Sequence, residues 1–141
     1  MMTKGGILIV EDDKNIACAI EIGLQFYKIP CVICDNIEQA KELFLKIEPS
    51  IVLMDYWLNS NSVSDFVEFL RLSSNSSIQP KLILMSADLN IEKIAFNFDI
   101  SNFIQKPFDL DQLLIEFDAC LPTGQPWQSG PAKSFPELTL S

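Results

Sequence analysis

Four short apolar runs in this chain each end in a group suited to phosphate or metal chemistry. The groups, in chain order, are the carboxylates of Glu11, Asp12 and Asp13, the carboxylate of Asp55, the hydroxyl of Ser86 and the amine of Lys106. The runs that precede them are Ile7–Val10, Ile51–Met54, Leu82–Met85 and Phe103–Gln105. If these runs are parallel strands of one sheet, their carboxyl ends lie along one edge, where open α/β sheets bind ligands. The pattern predicts a site for a divalent cation and a phosphoryl group.

Taken one at a time, these residues have simpler explanations. An acid after a strand commonly caps the next helix, and Asp12 or Asp13 fits that role. Asp55 could simply end a strand, Ser86 could begin a turn, and Lys106 could be a solvated loop residue. Together they favour a site, because four of five predicted strands end in groups that one phosphoryl site requires.

The elements that must position these groups alternate along the chain. We predict strands at Ile7–Val10, Cys31–Cys34, Ile51–Met54, Lys81–Met85 and about Asn102–Ile104. Helical spacing of apolar residues predicts helices from Lys14 to about Tyr27, from the cap Asn36 to Ile47, after Ser62 or Ser64, from Asn90 to Phe98, and from the cap Asp109 to Leu121. This alternation is typical of an α/β fold, a doubly wound (βα)5 arrangement around a five-stranded parallel sheet.

Composition excludes several classes of function. The 141 residues are 48% hydrophobic, which suits one domain with a real core. A net charge of -9 with Arg71 as the single arginine argues against direct binding to nucleic acid. No apolar run is long enough to span a membrane or to act as a secretory signal, so we expect a cytoplasmic protein. The chain has no histidine, which excludes histidine-based catalysis and means that any phosphohistidine must come from a partner.

The cysteines carry no predicted chemistry. Cys31 and Cys34 have CxxC spacing but lie in a predicted strand, where residues three apart point to opposite faces. Redox CxxC motifs instead open a helix, and a second CxxC for zinc is missing. We expect these cysteines to be buried and inert.

Four motifs resemble the receiver domains of two-component response regulators. They are Ile7–Asp13 (ILIVEDD), Val52–Asp55 (VLMD), Leu84–Ala87 (LMSA) and Lys106–Phe108 (KPF). The resemblance covers roughly residues 6 to 121 and implies the flavodoxin-like strand order 2-1-3-4-5. Residues 1–121 would form the receiver domain. Residues 122–141 are rich in proline and glycine and would be an extended or disordered tail, either a short docking peptide around Trp127, Phe135, Leu138 and Leu140 or a loose segment on the domain.

The resemblance implies that Asp55 is the phosphoacceptor. It would take a phosphoryl group from a phosphohistidine on a histidine kinase or histidine phosphotransfer protein, with Mg²⁺ as cofactor. Asp12 would bind Mg²⁺ directly and Glu11 through water, with Asp55 and the backbone carbonyl of Trp57 completing the protein ligands. Asp13 would cap the following helix. The chain would thus be a signalling domain that phosphorylates itself and slowly loses the group, and not an enzyme with a separate substrate.

The resemblance also implies a switch. Lys106 and Ser86 would contact the phosphoryl group, and Phe103 would turn inward behind Ser86, although ordinary core packing explains Phe103 equally well. The face formed by the fourth helix, fifth strand and fifth helix would then bind a downstream protein, and a weak or phosphorylation-dependent dimer could form.

Two departures from the family pattern concern turns. Asn59 and the stretch around Val63 replace a Pro and a Gly after Asp55, and Asp99-Ile100 replaces a Gly-Ala pair. Two other functions remain open. One is an interaction module that works without phosphorylation, and the other is a phosphatase with an Asp nucleophile. The phosphatase is disfavoured because Trp57 stands where a second Asp would act as acid and base.

Overall fold

Five parallel strands form the central sheet in the order β2-β1-β3-β4-β5, which confirms the predicted fold and strand order. The computed structural model describes residues 6–58, 62–73, 80–120 and 139–140. The strands are β1 Ile7–Val10, β2 Cys31–Cys34, β3 Ile51–Asp55, β4 Lys81–Ser86 and β5 Asn102–Gln105. Every residue of β1 and β3 is buried, as expected for central strands covered on both faces.

Five helices cover the two faces of this sheet. They are α1 Lys14–Phe26, α2 Ile37–Ile47, α3 Ser62–Ser73, α4 Ile91–Asn97 and α5 Leu110–Cys120. Alternate strand residues face opposite sides, so Ile7 and Ile9 pack in a core with α1 and α5. Leu8 and Val10 pack in a second core with α2, α3 and α4. Within the described residues, no helix is long and apolar enough to cross a membrane.

Side-chain caps fix where three of the helices begin. The Asp13 carboxylate accepts hydrogen bonds from the backbone N–H groups of Asn15 at 2.9 Å and Ile16 at 3.2 Å. This contact confirms Asp13 as the cap of α1. The Asn36 side chain accepts from the N–H of Gln39 at 2.8 Å, and Asp109 and Gln112 cap α5 reciprocally. The caps Asp13 and Asp109 set the starts of α1 and α5 shortly after the ends of β1 and β5, which carry part of the candidate site.

The turn before β5 contains a residue with a left-handed backbone conformation, and this residue is Asp99, not a glycine. Asp99 has φ = 58°, and its N–H donates to the carbonyl of Phe96 at 3.0 Å. Ile100 N–H donates to the carbonyl of Ala95 at 2.9 Å, which closes the end of α4. Asp tolerates this backbone region better than most residues, because its short side chain can hydrogen-bond locally. The other departure, at Asn59, lies outside the described residues, whereas Val63 is buried in α3.

The four cysteines are free thiols; Cys34 is buried as expected, whereas Cys31 is only partly buried. Cys31 and Cys34 both lie in strand β2, so they do not open a helix. Burial raises the pKa of Cys31 to about 11 and that of Cys34 to about 12. Such thiols stay protonated near neutral pH and are poor nucleophiles. The structure therefore gives no support to redox chemistry at this CxxC pair.

One strand pair was not predicted. Phe108–Asp109 (β6) pairs antiparallel with Thr139–Leu140 (β7) near the end of the chain. Residues 121–138 and 141 lie outside the described residues, and with them the proposed docking residues Trp127, Phe135 and Leu138. The described part of the last helix ends at Cys120.

Candidate functional site

The carboxyl edge of the sheet brings the predicted groups together around one lysine. Lys106 follows β5, and its Nζ donates a hydrogen bond to Glu11 Oε1 at 2.6 Å. The same Nζ lies 3.3 Å from Asp55 Oδ1 at the end of β3. The side chains of Glu11, Asp55 and Lys106 are 0%, 7% and 11% exposed, so water screens these contacts weakly. A partly buried ammonium thus bridges two buried carboxylates.

Three carboxylates form a group that could hold a metal ion. One oxygen each from Glu11, Asp12 and Asp55 lies within 4.8 Å of the other two. Glu11 and Asp55 are buried, whereas Asp12 is exposed. Hard divalent cations such as Mg²⁺ prefer oxygen ligands, and a few carboxylates plus water suffice to bind them. Because three acids here face a single ammonium, the donor set fits a divalent cation.

Glu11 and Asp12 differ in the hydrogen bonds that their carboxylates accept. Glu11 uses both oxygens, since Oε1 accepts from Lys106 and Oε2 accepts from the N–H of Asp13 at 3.1 Å. Among the residues that the structure describes, none donates a hydrogen bond to the Asp12 carboxylate. Asp12 is therefore the acid with oxygens available to an ion that enters from solvent.

Burial perturbs the titration of Glu11 and Lys106. Burial raises the pKa of Glu11 to about 7, although the hydrogen bond from Lys106 opposes this shift. For Lys106, burial by itself lowers the pKa, but the hydrogen bond to Glu11 and the charge of Asp55 outweigh it, so the pKa is raised. Lys106 therefore stays charged at neutral pH, while Glu11 exchanges a proton near physiological pH.

Ser86 lies at the same edge, at the end of β4. It is completely buried, and its Oγ accepts a hydrogen bond from the N–H of Asp88 at 3.0 Å. Its carbonyl accepts from the N–H of Lys106 at 2.8 Å, which ties the β4 and β5 ends together. In the register of β3 and β4, Asp55 lies beside Met85, one residue before Ser86. The backbone therefore places Ser86 beside Lys106 and one residue beyond the neighbour of Asp55.

Trp57 and Phe103 lie around this centre and not within it. Trp57 follows Asp55 in the turn after β3, and its side chain is 60% exposed and packs edge to face on Tyr56. Phe103 lies opposite Leu84 in β5 and is partly buried against the core that includes α4. The roles predicted for these two residues, a backbone metal ligand and a switch, stay predictions.

The sequence reasoning missed two contacts of this site. It assigned Lys106 to a phosphoryl group and did not foresee the shorter contact with Glu11. It also treated Asp13 only as a cap, whereas the Asp13 N–H holds Glu11. The acidic sequence Glu11-Asp12-Asp13 was the available signal, because a side chain that accepts from an N–H two residues ahead is a common local motif.

Comparisons with known proteins identify the family of this chain. Residues 7–118 match the response regulator receiver domain. The chain is 30% identical over 122 residues to the uncharacterized transcriptional regulatory protein YkoG of Bacillus subtilis, covering 85% of this chain and 52% of that protein. It is also 30% identical over 122 residues to the response regulator ArlR of Staphylococcus saprophyticus, covering 85% and 53%. The chain thus spans about half the length of these relatives.

Solved structures give the same assignment. A response regulator receiver domain from Bermanella marisrubri superposes with a TM-score of 0.71 at 28% identity, covering 84% of this chain and 98% of that one. The chemotaxis response regulator CheY4 of Vibrio cholerae gives a TM-score of 0.72 at 19% identity, covering 86% and 100%, and shares the fold. These matches confirm the resemblance drawn from the four motifs, and this chain belongs to the response regulator receiver domain family.

Proposed function

We propose that this receiver domain accepts a phosphoryl group on Asp55 and acts as a phosphorylation switch. An Asp55 oxygen attacks the phosphorus of a phosphohistidine on a histidine kinase or histidine phosphotransfer protein. The phosphorus–nitrogen bond breaks, the imidazole leaves, and an aspartyl phosphate remains. The observation that carries this proposal is the partly buried Lys106 ammonium between Glu11 and Asp55, which together with Asp12 form a group of carboxylates within 4.8 Å of one another.

The same geometry supports the division of labour among the metal ligands. We assign Asp12 as the direct Mg²⁺ ligand, since its oxygens are accessible and accept no hydrogen bond from the described residues. Glu11 would act through water, because both of its oxygens already accept protein hydrogen bonds. Asp55 and the carbonyl of Trp57 would complete the protein ligands. When bound, Mg²⁺ offsets the repulsion among the acids and the charge on the phosphoryl oxygens.

Lys106 and Ser86 would hold the transferred group. Lys106 Nζ already lies 3.3 Å from Asp55 Oδ1, so a small side-chain movement brings it to a phosphoryl oxygen on Asp55. The Ser86 oxygen accepts from the Asp88 N–H, which leaves its own O–H free to donate. Donors aimed at developing negative charge are the usual source of stabilisation in phosphoryl transfer.

The signal would leave the site through β5 and its neighbours. Phe103, beside Leu84 and packed toward α4, is the residue assigned to move when Ser86 turns to the phosphoryl group. Phe96 in α4 and Ile115 in α5 are exposed apolar side chains, as is Leu89 in the turn before α4, and such side chains suit a downstream protein or a weak phosphorylation-dependent dimer at the face of α4, β5 and α5. A net charge of -9 disfavours direct contact with nucleic acid. Free cysteines agree with a reducing cytoplasm.

Intact mass spectrometry after incubation with Mg²⁺ and acetyl phosphate tests the proposal. We expect one acid-stable, base-labile phosphoryl group on the wild-type chain and none on Asp55→Asn. Asp35→Asn is the matched control, because Asp35 is an exposed acid that follows β2, the one strand whose end does not join the site. This control should be phosphorylated like the wild type.

Failure of the reaction would favour a different function. If the wild-type chain is folded and binds Mg²⁺ but gains no phosphoryl group, the chain works as an interaction module independent of phosphorylation. If Asp55→Asn gains the same mass as the wild type, another residue is the acceptor. Either result refutes the role given to Asp55.

A further inference from the structure

The end of the chain pairs with the loop that carries Lys106. Strand β6, Phe108–Asp109, begins two residues after Lys106 and pairs antiparallel with β7, Thr139–Leu140. Phe108 lies opposite Leu140, and Asp109 lies opposite Thr139. Strand β7 also approaches α1, which begins beside the acidic cluster. The C-terminal residues thus lie on the segment that follows Lys106 and against α1.

We infer that the β6 edge is a docking site for an extended peptide, and that its occupant is the C-terminal segment of this same chain. The pair forms a clasp that hinders a protein phosphodonor from reaching Asp55. This inference rests on the proposed function for its consequence, although the clasp itself does not depend on that function. Backbone pairing at a strand edge is a common mode of peptide recognition.

The chain is long enough for the pairing to form within one molecule. Helix α5 spans Leu110–Cys120, about 16 Å at a rise of 1.5 Å per residue. The C-terminal segment must return over roughly this distance to reach β6. The roughly 18 residues between Cys120 and Thr139 can span about 60 Å when extended. No second copy of the chain is required.

The clasp should slow phosphoryl transfer from a protein donor more than transfer from a small-molecule donor. Asp55 is only 5% exposed, so a donor reaches it past the loops that follow β1, β3 and β5. A protein donor must cover those loops, and a strand laid on the loop after β5 stands in its way. A small donor needs no such contact surface. Lys106 does not depend on the clasp, because Glu11 and the Ser86 carbonyl already hold it.

The expected effect is modest, because a two-residue strand pair is weak. The few backbone hydrogen bonds of the pair are opposed by the entropy lost when the loop closes. The clasp therefore exchanges between closed and open states. We therefore expect its removal to speed transfer from a protein donor by about threefold to tenfold. Transfer from a small donor should change by less than about twofold.

Hydrogen exchange tests the clasp directly. The proteins are the full chain, a chain ending at Leu138, Thr139→Pro, and Thr139→Val as the matched control. Proline removes the N–H and breaks strand pairing, whereas valine keeps the N–H and suits a strand. We expect faster amide exchange at Phe108 in the truncation and in Thr139→Pro, with Thr139→Val like the full chain, whereas the Asp109 N–H is held by Gln112 in all four proteins. Equal exchange in all four proteins would overturn the clasp. Protection that rises with protein concentration would assign the pairing to a second copy and overturn its intramolecular form.

Phosphorylation rates test the consequence. The probes are acetyl phosphate and a purified, histidine-phosphorylated kinase core selected because it transfers to the full chain. The truncation and Thr139→Pro should react faster than the full chain with the kinase core only. Equal rates with the kinase core, or equal acceleration with both donors, would overturn the hindrance. If acetyl phosphate and every kinase core screened fail to phosphorylate the full chain, the proposed function fails together with the hindrance, and the exchange data decide the clasp separately.

Discussion

Replacing Lys106 with methionine should destabilise the metal-free protein, and the loss should grow as the pH rises. Methionine keeps most of the side-chain volume and removes only the charge. It leaves Glu11, with a side chain that is 0% exposed, and Asp55, at 7%, without the ammonium that contacts both. For a buried carboxylate without a partner, nothing offsets the free energy of desolvation. Breaking a buried pair is therefore strongly destabilising.

The size of the loss follows from the charge state of Glu11. Burial raises its pKa from 4.5 to about 7, so the folded state binds the proton more tightly than the unfolded state. The stability this group contributes is fully present below pH 4.5 and is lost as the pH rises through about 7. At 1.36 kcal/mol per pKa unit, that loss is about 3 kcal/mol in the wild type.

Without Lys106, the pH range over which this stability is lost moves upward, because the hydrogen bond that lowers the pKa of Glu11 is gone. At pH 8, one unit above the wild-type pKa of about 7, protonation of Glu11 limits its share of the difference to about 1.4 kcal/mol. With the lost contact to Asp55, we therefore expect the variant to be about 2 kcal/mol less stable than the wild type. At pH 5.5 Glu11 carries a proton in both proteins, and only the contact with Asp55 is lost. The expected difference there is about 1 kcal/mol.

Urea unfolding followed by circular dichroism, at pH 5.5 and pH 8 with EDTA, measures both differences. The matched control is Lys41→Met, because Lys41 pairs with Asp65 at 3.0 Å on the surface between α2 and α3. This control should show a small loss that does not grow with pH, as is usual for exposed pairs. The double variant Glu11→Gln/Lys106→Met should recover most of the loss at pH 8, since it removes the uncompensated charge. A Lys106→Met loss that is equal at both pH values would refute the reasoning, and so would a double variant as unstable as the single one.

Three further predictions concern the metal site and the backbone. Asp12→Ala should abolish measurable Mg²⁺ binding in calorimetry without lowering metal-free stability. Asp13→Ala should keep Mg²⁺ binding but lose about 1 kcal/mol, because it removes the cap of α1; the reverse pattern would contradict the assignment. Mg²⁺ affinity should rise between pH 6 and pH 8, because Glu11 must release its proton near pH 7, and Glu11→Gln should flatten this dependence in the same titrations. Asp99→Gly should raise the midpoint of thermal unfolding and Asp99→Val should lower it, because φ at this residue is 58°; a higher midpoint for valine would refute this account.

Much of the fold was predictable because its signals are local. Continuous apolar runs such as Ile7–Val10 and Ile51–Met54 indicate central parallel strands, and both are fully buried. The caps Asn36 and Asp109 act within three residues of themselves, so their sequence pattern suffices. The pairing of β6 with β7 was not predictable, since two residues carry no periodicity and their partners lie some 30 residues apart.

The site was predictable as a set of residues and not as a set of contacts. Parallel strands align their carboxyl ends, so Asp55, Ser86 and Lys106 had to share one edge once the strand order was known. The choice of carboxylate that the lysine contacts depends on side-chain length and loop conformation. The spacing of the strands along the sequence predicts neither. The sequence assigned Lys106 to the phosphoryl group, while its shortest contact is with Glu11.

This contact gives the proposed reaction a requirement that the motifs alone do not express. In the unphosphorylated site, the Lys106 ammonium nitrogen lies 2.6 Å from a Glu11 oxygen and 3.3 Å from an Asp55 oxygen. A phosphoryl group on Asp55 adds negative charge and draws Lys106 toward it, so Glu11 loses its closest donor while remaining buried. Either a proton or a cation must then compensate Glu11. Because the lost hydrogen bond is one of the causes that lower the pKa of Glu11, this pKa rises further and the proton is held more tightly. Under the proposed function, a cation that binds beside Glu11 in the phosphorylated site must therefore displace this proton.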